Sequence, residues 1–470
     1  MGSHGARDGV GARLHLMYFS RQWPDRFRSA AGIRSLGLLG ALRRAFPSAA
    51  LSCVSPARPH APLVDHIRAN LAATPIPCPI NDTNAFETAI ATAVSRSDAV
   101  VAAVFDGFLT EEMFSWRVAQ ALPGALRIVD TQDLHCLRQG RQHALLNRPG
   151  TTLDDLCDVA NFMGPYLHEL DAGVPAKDVF LREMAAIHRN DHALIVSPVE
   201  LDLLVDGFGF RRSKFTMAPF FAEPPRLNPR PFHVRRHCCM IGNWRHAPNV
   251  DSVEFARDVI WPRLRTRLPA GTELHVYGAN ANRQQMEMTR ESDGFRVMGQ
   301  CADQYATMSR YKVLLAPLRF GAGIKGKIVD AWMTATPVVT TGIGVEGMLG
   351  GPTGQWGGLS SNSPAEFVDL AADLYRDEGI WQRCVTTGRA ILAESFTLDA
   401  NAPAVVSLLD RYLRSDSLLR RERANDLMHQ ILASTAQSTS YYLSKYIEKG
   451  RSAHVTPNST RVALTVAPLH

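Results

Sequence analysis

The sequence predicts an α/β protein built from two doubly wound parallel sheets, with a helical extension at its C-terminal end. Three observations carry that expectation. Short apolar runs alternate with helix-patterned segments through residues 14–197 and again through 238–395, the pattern of repeated βαβ units. Between the two runs lies PFFAEPPRLNPRP (219–231), whose five prolines can continue neither a helix nor a central strand. From Val313 to Thr340 a buried strand, a glycine-rich loop, an amphipathic helix and a second strand follow without interruption.

The elements are read in chain order. Leu14–Ser20 (LHLMYFS) is a short apolar run that reads as a buried strand, and Ile33–Phe46 has helical spacing after a loop that ends at Gly32. Further strands are expected at Ala50–Val54, Ala99–Phe105, Leu126–Asp130 and Ala193–Ser197, with helices at 84–96, 111–121 and 178–190. Residues 55–80 hold six prolines and read as a long surface excursion. After the proline-rich break, strands are expected at Cys238–Ile241, Glu273–Tyr277, Phe295–Met298, Val313–Ala316 and Pro337–Thr340. Helices are expected at 250–268, 364–377 and 379–395. In 403–449 the residues Leu408, Leu409, Tyr412 and Leu413, then Leu427, Ile431 and Leu432, recur at helical spacing, so each segment carries an apolar stripe that needs a surface to cover. The expected division is a flexible N-terminus (1–13), a first Rossmann-like domain (14–220), a linker (221–235), a second Rossmann-like domain (236–402), a helical extension (403–450) and a disordered tail (451–470).

With 46% hydrophobic and 20% charged residues the chain is an ordinary globular one, long enough to bury sizeable cores. A net charge of +6 and a pI near 8.9 suit an anionic ligand. The 51 basic residues are dispersed among 45 acidic ones, which argues against a nucleic-acid surface. Eight scattered cysteines without a CxxC pair argue against a zinc site or disulfide framework and for a reducing compartment. No run approaches eighteen apolar residues, and MGSHGARDGVGAR lacks the apolar core of a signal peptide. A cytoplasmic protein is expected, with peripheral membrane contact left open, and the sequons at Asn81 and Asn458 carry no weight.

The segment LAPLRFGAGIKGKIVDAWMTATPVVTTGIGVEGM (315–348) carries the chemistry. A helix that follows a strand through a glycine loop presents unpaired N–H groups and the positive end of its dipole beyond the sheet edge. Gly321, Gly323 and Gly326 remove the Cβ atoms that would block close approach, Lys325 and Lys327 add positive charge, and Asp330 stands one turn into the helix. The pattern describes a phosphate cradle with an acid placed to accept hydrogen bonds from a sugar hydroxyl. It is neither a Walker A loop, since GK[ST] is absent, nor the dinucleotide fingerprint with an acid about twenty residues on. A tight turn with solvated lysines is the plainer alternative.

Here the sequence resembles the retaining glycosyltransferases of the GT-B fold, the group 1 (family 4) class, whose C-terminal domain carries a glycine loop, an acid in the next helix and a PVV strand. The family's second acid corresponds to Asp330; the first, eight residues earlier, corresponds to Ala322, so half of that pattern is kept. The resemblance covers roughly residues 14 to 400. It implies two Rossmann-like domains with the ligand cleft between them, and an acceptor-side loop ending at Gly32. It also implies a catalytic position at Gln132, where relatives carry His, followed by the matching Asp133. Gln132 can hydrogen-bond a hydroxyl but cannot act as a base near neutral pH. His135 could substitute, or could be a surface histidine. Gly242 and Arg245 (IGNWRH) resemble the turn whose Arg meets the donor's diphosphate, with Asn249 and Val250 where relatives often place a Lys. Gly278 fits a loop beneath the nucleotide, and Glu346 of GVEGM a ribose or diphosphate neighbour or a solvated loop acid. Ser197 and Glu200 (SPVE) have the spacing of a capping box and read as scaffold.

What the resemblance implies is a glycosyltransferase moving a sugar from a nucleotide-sugar donor to a glycan, lipid or other acceptor, with retention and without a resident cofactor or metal. No DxD motif occurs. A GT-B-fold epimerase or phosphorylase, or a non-catalytic nucleotide-sugar-binding protein derived from a transferase, would share the cradle.

Overall fold

The structure, a computed structural model, describes residues 14–25, 30–94, 100–223, 229–350, 354–413 and 416–435. In the first half, strands β1 (Leu14–Phe19), β2 (Ala50–Ser55), β3 (Thr74–Pro77), β4 (Val100–Asp106), β5 (Leu126–Asp130), β6 (His192–Ile195) and β7 (Phe215–Met217) form one parallel sheet in the order β3-β2-β1-β4-β5-β6-β7. Its helices include α1 (Ala30–Ala45), α2 (Ala61–Leu71), α3 (Thr83–Val94), α4 (Phe108–Ala121), α5 (His135–Asn147), α6 (Pro175–Arg189) and α7 (Pro198–Asp202). The second half holds β8 (Arg236–Ile241), β9 (Leu274–Tyr277), β10 (Phe295–Gly299), β11 (Tyr311–Ala316), β12 (Val338–Thr340) and β13 (Leu359–Ser360). They are parallel in the order β10-β9-β8-β11-β12-β13. Around them lie α8 (Ala247–Phe255), α9 (Gln304–Met308), α10 (Gly326–Met333), α11 (Pro364–Arg376) and α12 (Glu378–Ile391). The chain then continues through α13 (Leu398–Leu413) and α14 (Asp416–Ala424).

The strands form where apolar runs can be covered on both faces. β1 is buried along its whole length, as parallel central strands must be. Residues 55–80 are not an excursion. They hold α2 and then β3, whose sequence TPIP pairs with β2 in register Ser52–Thr74 to Ser55–Pro77. Prolines survive there because β3 is an edge strand and Pro75 and Pro77 alternate, so the missing N–H groups face away from β2 while Cys78 donates to the Ser55 carbonyl. Residues 131–174, where no helix is expected from the sequence, contain α5 and shorter helical pieces.

After α12 the chain crosses back. The Ala222 N–H donates to the Phe396 carbonyl and the Leu398 N–H to the Ala222 carbonyl at the crossing, and α13 lays Val405, Val406, Leu408, Leu409 and Tyr412 into the same core as Leu16, Leu38, Leu42 and Leu194. The second stripe behaves otherwise. In the helical stretch 427–435, Leu427 and Ile431 are 69% and 49% exposed. That stretch is held by its polar side: Asp426 meets Lys214 and Arg211, and His429 lies buried against the His188 carbonyl. The expectation that this stripe is covered is therefore corrected. Those for 1–13, 436–449, 451–470 and the Leu413 side chain fall outside the described residues.

Candidate functional site

In each sheet the strand order reverses next to the first strand, between β1 and β4 and between β8 and β11. Loops leaving such neighbouring strands in opposite directions open a crevice at their carboxyl ends. The two crevices face one another across a cleft of about 1110 Å³. The second half contributes the loop after β8 (Gly242, Arg245, Asn249), Gly278 after β9, and the loop from Leu318 to Lys327 after β11. The first half contributes Ala30, Ala31, Arg34 and Gly37 of α1, with Gln132 and Asp133 after β5. The backbones meet closely. A Cβ on Gly278 would lie 2.0 Å from the Gly242 carbonyl oxygen, and one on Gly326 would lie 2.4 Å from the Ala30 Cβ. The N-termini of α1 and α10, one from each half, thus come together in the cleft.

No side chain caps α10. Its first N–H groups have no intrahelical acceptor and open into the cleft, together with the positive end of the helix dipole. Lys327 lines the cleft there and donates to Asn249 Oδ1 at 2.7 Å, and burial pushes its ammonium down to about 8. The Arg245 side chain reaches the cleft with no partner among the described residues. Lys325 is different. It forms part of the wall, but its Nζ turns back to donate to the Gly323 carbonyl at 2.7 Å and lies 3.7 Å from Glu346 Oε2. The cradle thus has one lysine in front and one behind. Asp330 lines the cleft, and burial pushes its carboxyl up to about 7 against the hydrogen bond that Tyr305 gives it.

On the first half, Gln132 has a φ of 62° and the Asp133 N–H returns to the Thr131 carbonyl at 2.7 Å, closing a three-residue turn about a left-handed non-glycine residue. Its Nε2 donates to Asp106 Oδ1 at 2.7 Å and to Ser35 Oγ at 3.1 Å, which directs the amide nitrogen into the domain. Asp106 is raised to about 7, first by burial and then by neighbouring Asp130. Burial alone would raise Asp133, but Arg138 and His135 hold it well below the ordinary carboxylate range. His135 does not line the cleft. It sits between Asp133 and the edge of the Phe108 ring.

The remaining expected residues are placed elsewhere. Gly32 belongs to the first turn of α1, where a Cβ would strike the Asp25 carbonyl oxygen, and the cleft is lined by Ala30 and Ala31 instead. Gly323 has a φ of 63° and packs behind the loop against Gln132 and Asp133. Glu346 is not solvated. It takes a bidentate pair of hydrogen bonds from fully buried Arg141 at 2.6 and 2.8 Å. Ser197 gives α7 no capping bond. Glu200 instead accepts from the Leu134 and Gly323 amides. The residues missed from sequence, Arg141, Asp106, Gln304 and Tyr305, carry no motif. Only Glu200 left a signal, its three-residue spacing from Ser197, which pointed to a local role.

Among the described residues no group of three His, Cys, Asp or Glu side chains is arranged to hold a metal, and no helix is long and apolar enough to cross a membrane. A raised carboxyl has a thermodynamic sign. Between the unfolded value near 3.9 and about 7, folded Asp330 keeps a proton that the unfolded chain releases, so its contribution to stability falls as pH rises through that window. Asp330→Asn is therefore expected to raise the melting temperature of the unliganded protein by a few degrees at pH 8 and to leave it unchanged at pH 3.5. Equal shifts at both values would show that burial of a charge is not the cause.

Two parallel α/β domains with facing crevices and an uncapped helix N-terminus between them define a GT-B-fold protein. Within it, residues 235–377 match the family model described as glycosyl transferases group 1. No curated protein matches the chain. Among solved structures, Anabaena HepE in complex with UDP and glucose is similar with a TM-score of 0.58 at 9% identity, covering 84% of this chain and 99% of that one. A glycosyltransferase from Rickettsia africae gives 0.57 at 10% identity over 86% and 99%. Sucrose-phosphate synthase from Thermosynechococcus elongatus gives 0.57 at 13% over 86% and 100%. These likenesses show the fold.

Proposed function

We propose that the protein is a glycosyltransferase that moves a sugar from a nucleotide-sugar donor to an acceptor held on the first domain, with retention at the anomeric carbon. The observation that carries this is the uncapped N-terminus of α10, open to the cleft between Gly321, Gly326, Lys327 and Arg245. The match of residues 235–377 to group 1 glycosyl transferases, and the presence of UDP and glucose in the similar HepE structure, support the same reading.

The donor's diphosphate lies against the α10 N-terminus. Its departing charge is stabilised by the helix dipole, Lys327 and Arg245, which are in place before reaction and need no reorganisation. An anion beside Lys327 also restores the full charge that burial weakens. Asp330 accepts hydrogen bonds from the ribose. Gln132, its amide nitrogen committed to Asp106 and Ser35, turns its carbonyl oxygen to a hydroxyl of the transferred sugar. Asp133, held ionised by Arg138 and His135, is a poor proton acceptor, so the acceptor's proton passes to the leaving phosphate oxygen. With this arrangement the reaction proceeds without a divalent cation. The free state of all eight cysteines accords with work in a reducing compartment such as the cytoplasm.

The test is a thermal-shift and titration panel of nucleoside diphosphates and nucleotide sugars in EDTA. One nucleotide is expected to bind. Lys327→Ala should weaken it by about 10- to 100-fold, the worth of one charge-assisted contact at roughly 1.5–3 kcal/mol. Wild-type affinity in Lys327→Ala, or no binding across the panel, would move the site elsewhere. Loss of binding in EDTA that magnesium restores would overturn the metal-independent mechanism.

A further inference from the structure

The floor of the cleft is made of two irregular backbone segments, one from each domain, packed back to back. Loop 321–325 of the second domain has Gly323 in the left-handed region, and turn 131–134 of the first has Gln132 there. A Cβ on Gly323 would lie 2.8 Å from Asp133 Cβ and 3.2 Å from the Gln132 carbonyl oxygen. The first-domain turn is anchored at one end by Thr131, which donates to the Leu194 carbonyl of β6, and by the Gln132 side chain on Asp106 and Ser35. Both segments are also held by α7: one oxygen of Glu200, Oε1, accepts the Leu134 N–H at 2.9 Å and the Gly323 N–H at 2.8 Å. Its second oxygen is buried without a protein partner among the described residues. The same first domain sends Arg141 of α5 to the Gly321 carbonyl at 2.7 Å.

We propose that Glu200 is a positioning residue for both halves of the cleft, fixing the donor-phosphate loop and the Gln132 turn against each other through one shared carboxylate oxygen. This rests on the reading of the cleft as a nucleotide-sugar site. A residue of the first domain thus shapes the loop by which the second holds diphosphate, so the loop takes its binding shape only while the domains are together, and donor binding and domain closure favour each other. The contrast with α10 supports the assignment. The N–H groups at the start of α5 are taken up by carboxylates, Leu134 by Glu200, and His135 and Cys136 by Glu183. Those of α10 carry no such cap and remain for a ligand. Glu200 holds both segments through an accepting oxygen, which remains when burial pushes its carboxyl up to about 8, and a carboxamide at that position keeps an acceptor in the same place.

The test compares the full-length wild type with Glu200→Ala and Glu200→Gln by two measurements. In hydrogen–deuterium exchange without ligand, Glu200→Ala is expected to speed exchange of peptides covering 131–137 and 320–327 together, by about tenfold or more, and to leave the strands of both sheets unchanged. In titrations with UDP, the same variant should bind about tenfold or more weakly, and Glu200→Gln should restore both properties to within about threefold. Unchanged exchange in the two segments, uniform acceleration across the protein, or failure of Glu200→Gln to restore protection would overturn the proposal. If the wild type takes neither UDP nor any other nucleotide, the functional reading fails, and the exchange pattern still decides the role of Glu200.

Discussion

Truncation after Ala402 is expected to abolish cooperative folding of the first domain. Six buried apolar side chains leave its core: Val405, Val406, Leu408, Leu409, Tyr412 and Leu419. At roughly 1.5–3 kcal/mol each they contribute about 9–18 kcal/mol before chain entropy is subtracted, comparable with the whole stability of a domain, ~5–15 kcal/mol. The truncation also removes Arg423, which donates to Asp191 and to the carbonyls of Pro123 and Ala125. Asp191, 2% exposed, would then keep Arg127 as its remaining cation. Circular dichroism on heating is the check. A truncated chain that melts cooperatively at the wild-type temperature would show that α13 and α14 are an appendage.

Arg141→Ala is expected to cost about 3–5 kcal/mol at neutral pH, the loss seen when one partner of a buried ion pair is removed. The guanidinium donates to the Leu156 and Gly321 carbonyls and to both oxygens of Glu346. Burial would raise Glu346, but Arg141 and Lys325 hold it below the ordinary carboxylate value. In the wild type the pair therefore stabilises above the unfolded carboxylate value near 4.3 and is lost as pH falls through the lower folded value. Without Arg141 the buried carboxylate is a liability while it stays ionised, and protonation relieves it. The stability gap measured by urea unfolding should be full at pH 8 and shrink towards pH 4. A gap of equal size at both values would place the cost in packing instead.

What was legible in the sequence and what was not divide along physical lines. β1 and β11 were readable because a strand covered on both faces needs a largely apolar run, and little else in a chain produces one. α13 was readable for a related reason, its apolar stripe. β3 was hidden because its two prolines are excluded from any strand with neighbours on both sides, and nothing in TPIP says that it lies at an edge. α5 was hidden because Arg138 and Arg141, which replace part of an apolar face, are addressed to the other domain. Residues 427–435 show the converse: an apolar stripe was present, and the fold turned the polar side inward.

The site divides in the same way. The glycine loop, the helix that follows it, the acid one turn inside and the two-domain α/β architecture can be read from the chain alone. Each of these depends on residue type and local spacing, which act through short-range backbone geometry. Which charges face the cleft is settled by long-range packing. Lys325 and Lys327 are two residues apart and chemically the same, yet the turn into α10 sends one back to Gly323 and Glu346 and leaves the other at the cleft. Glu346 became a buried partner of Arg141, 205 residues away, and Glu200 met an amide 123 residues away. Such pairings follow from how the two sheets face one another, and a buried charge or amide must find its partner wherever the fold brings one within reach.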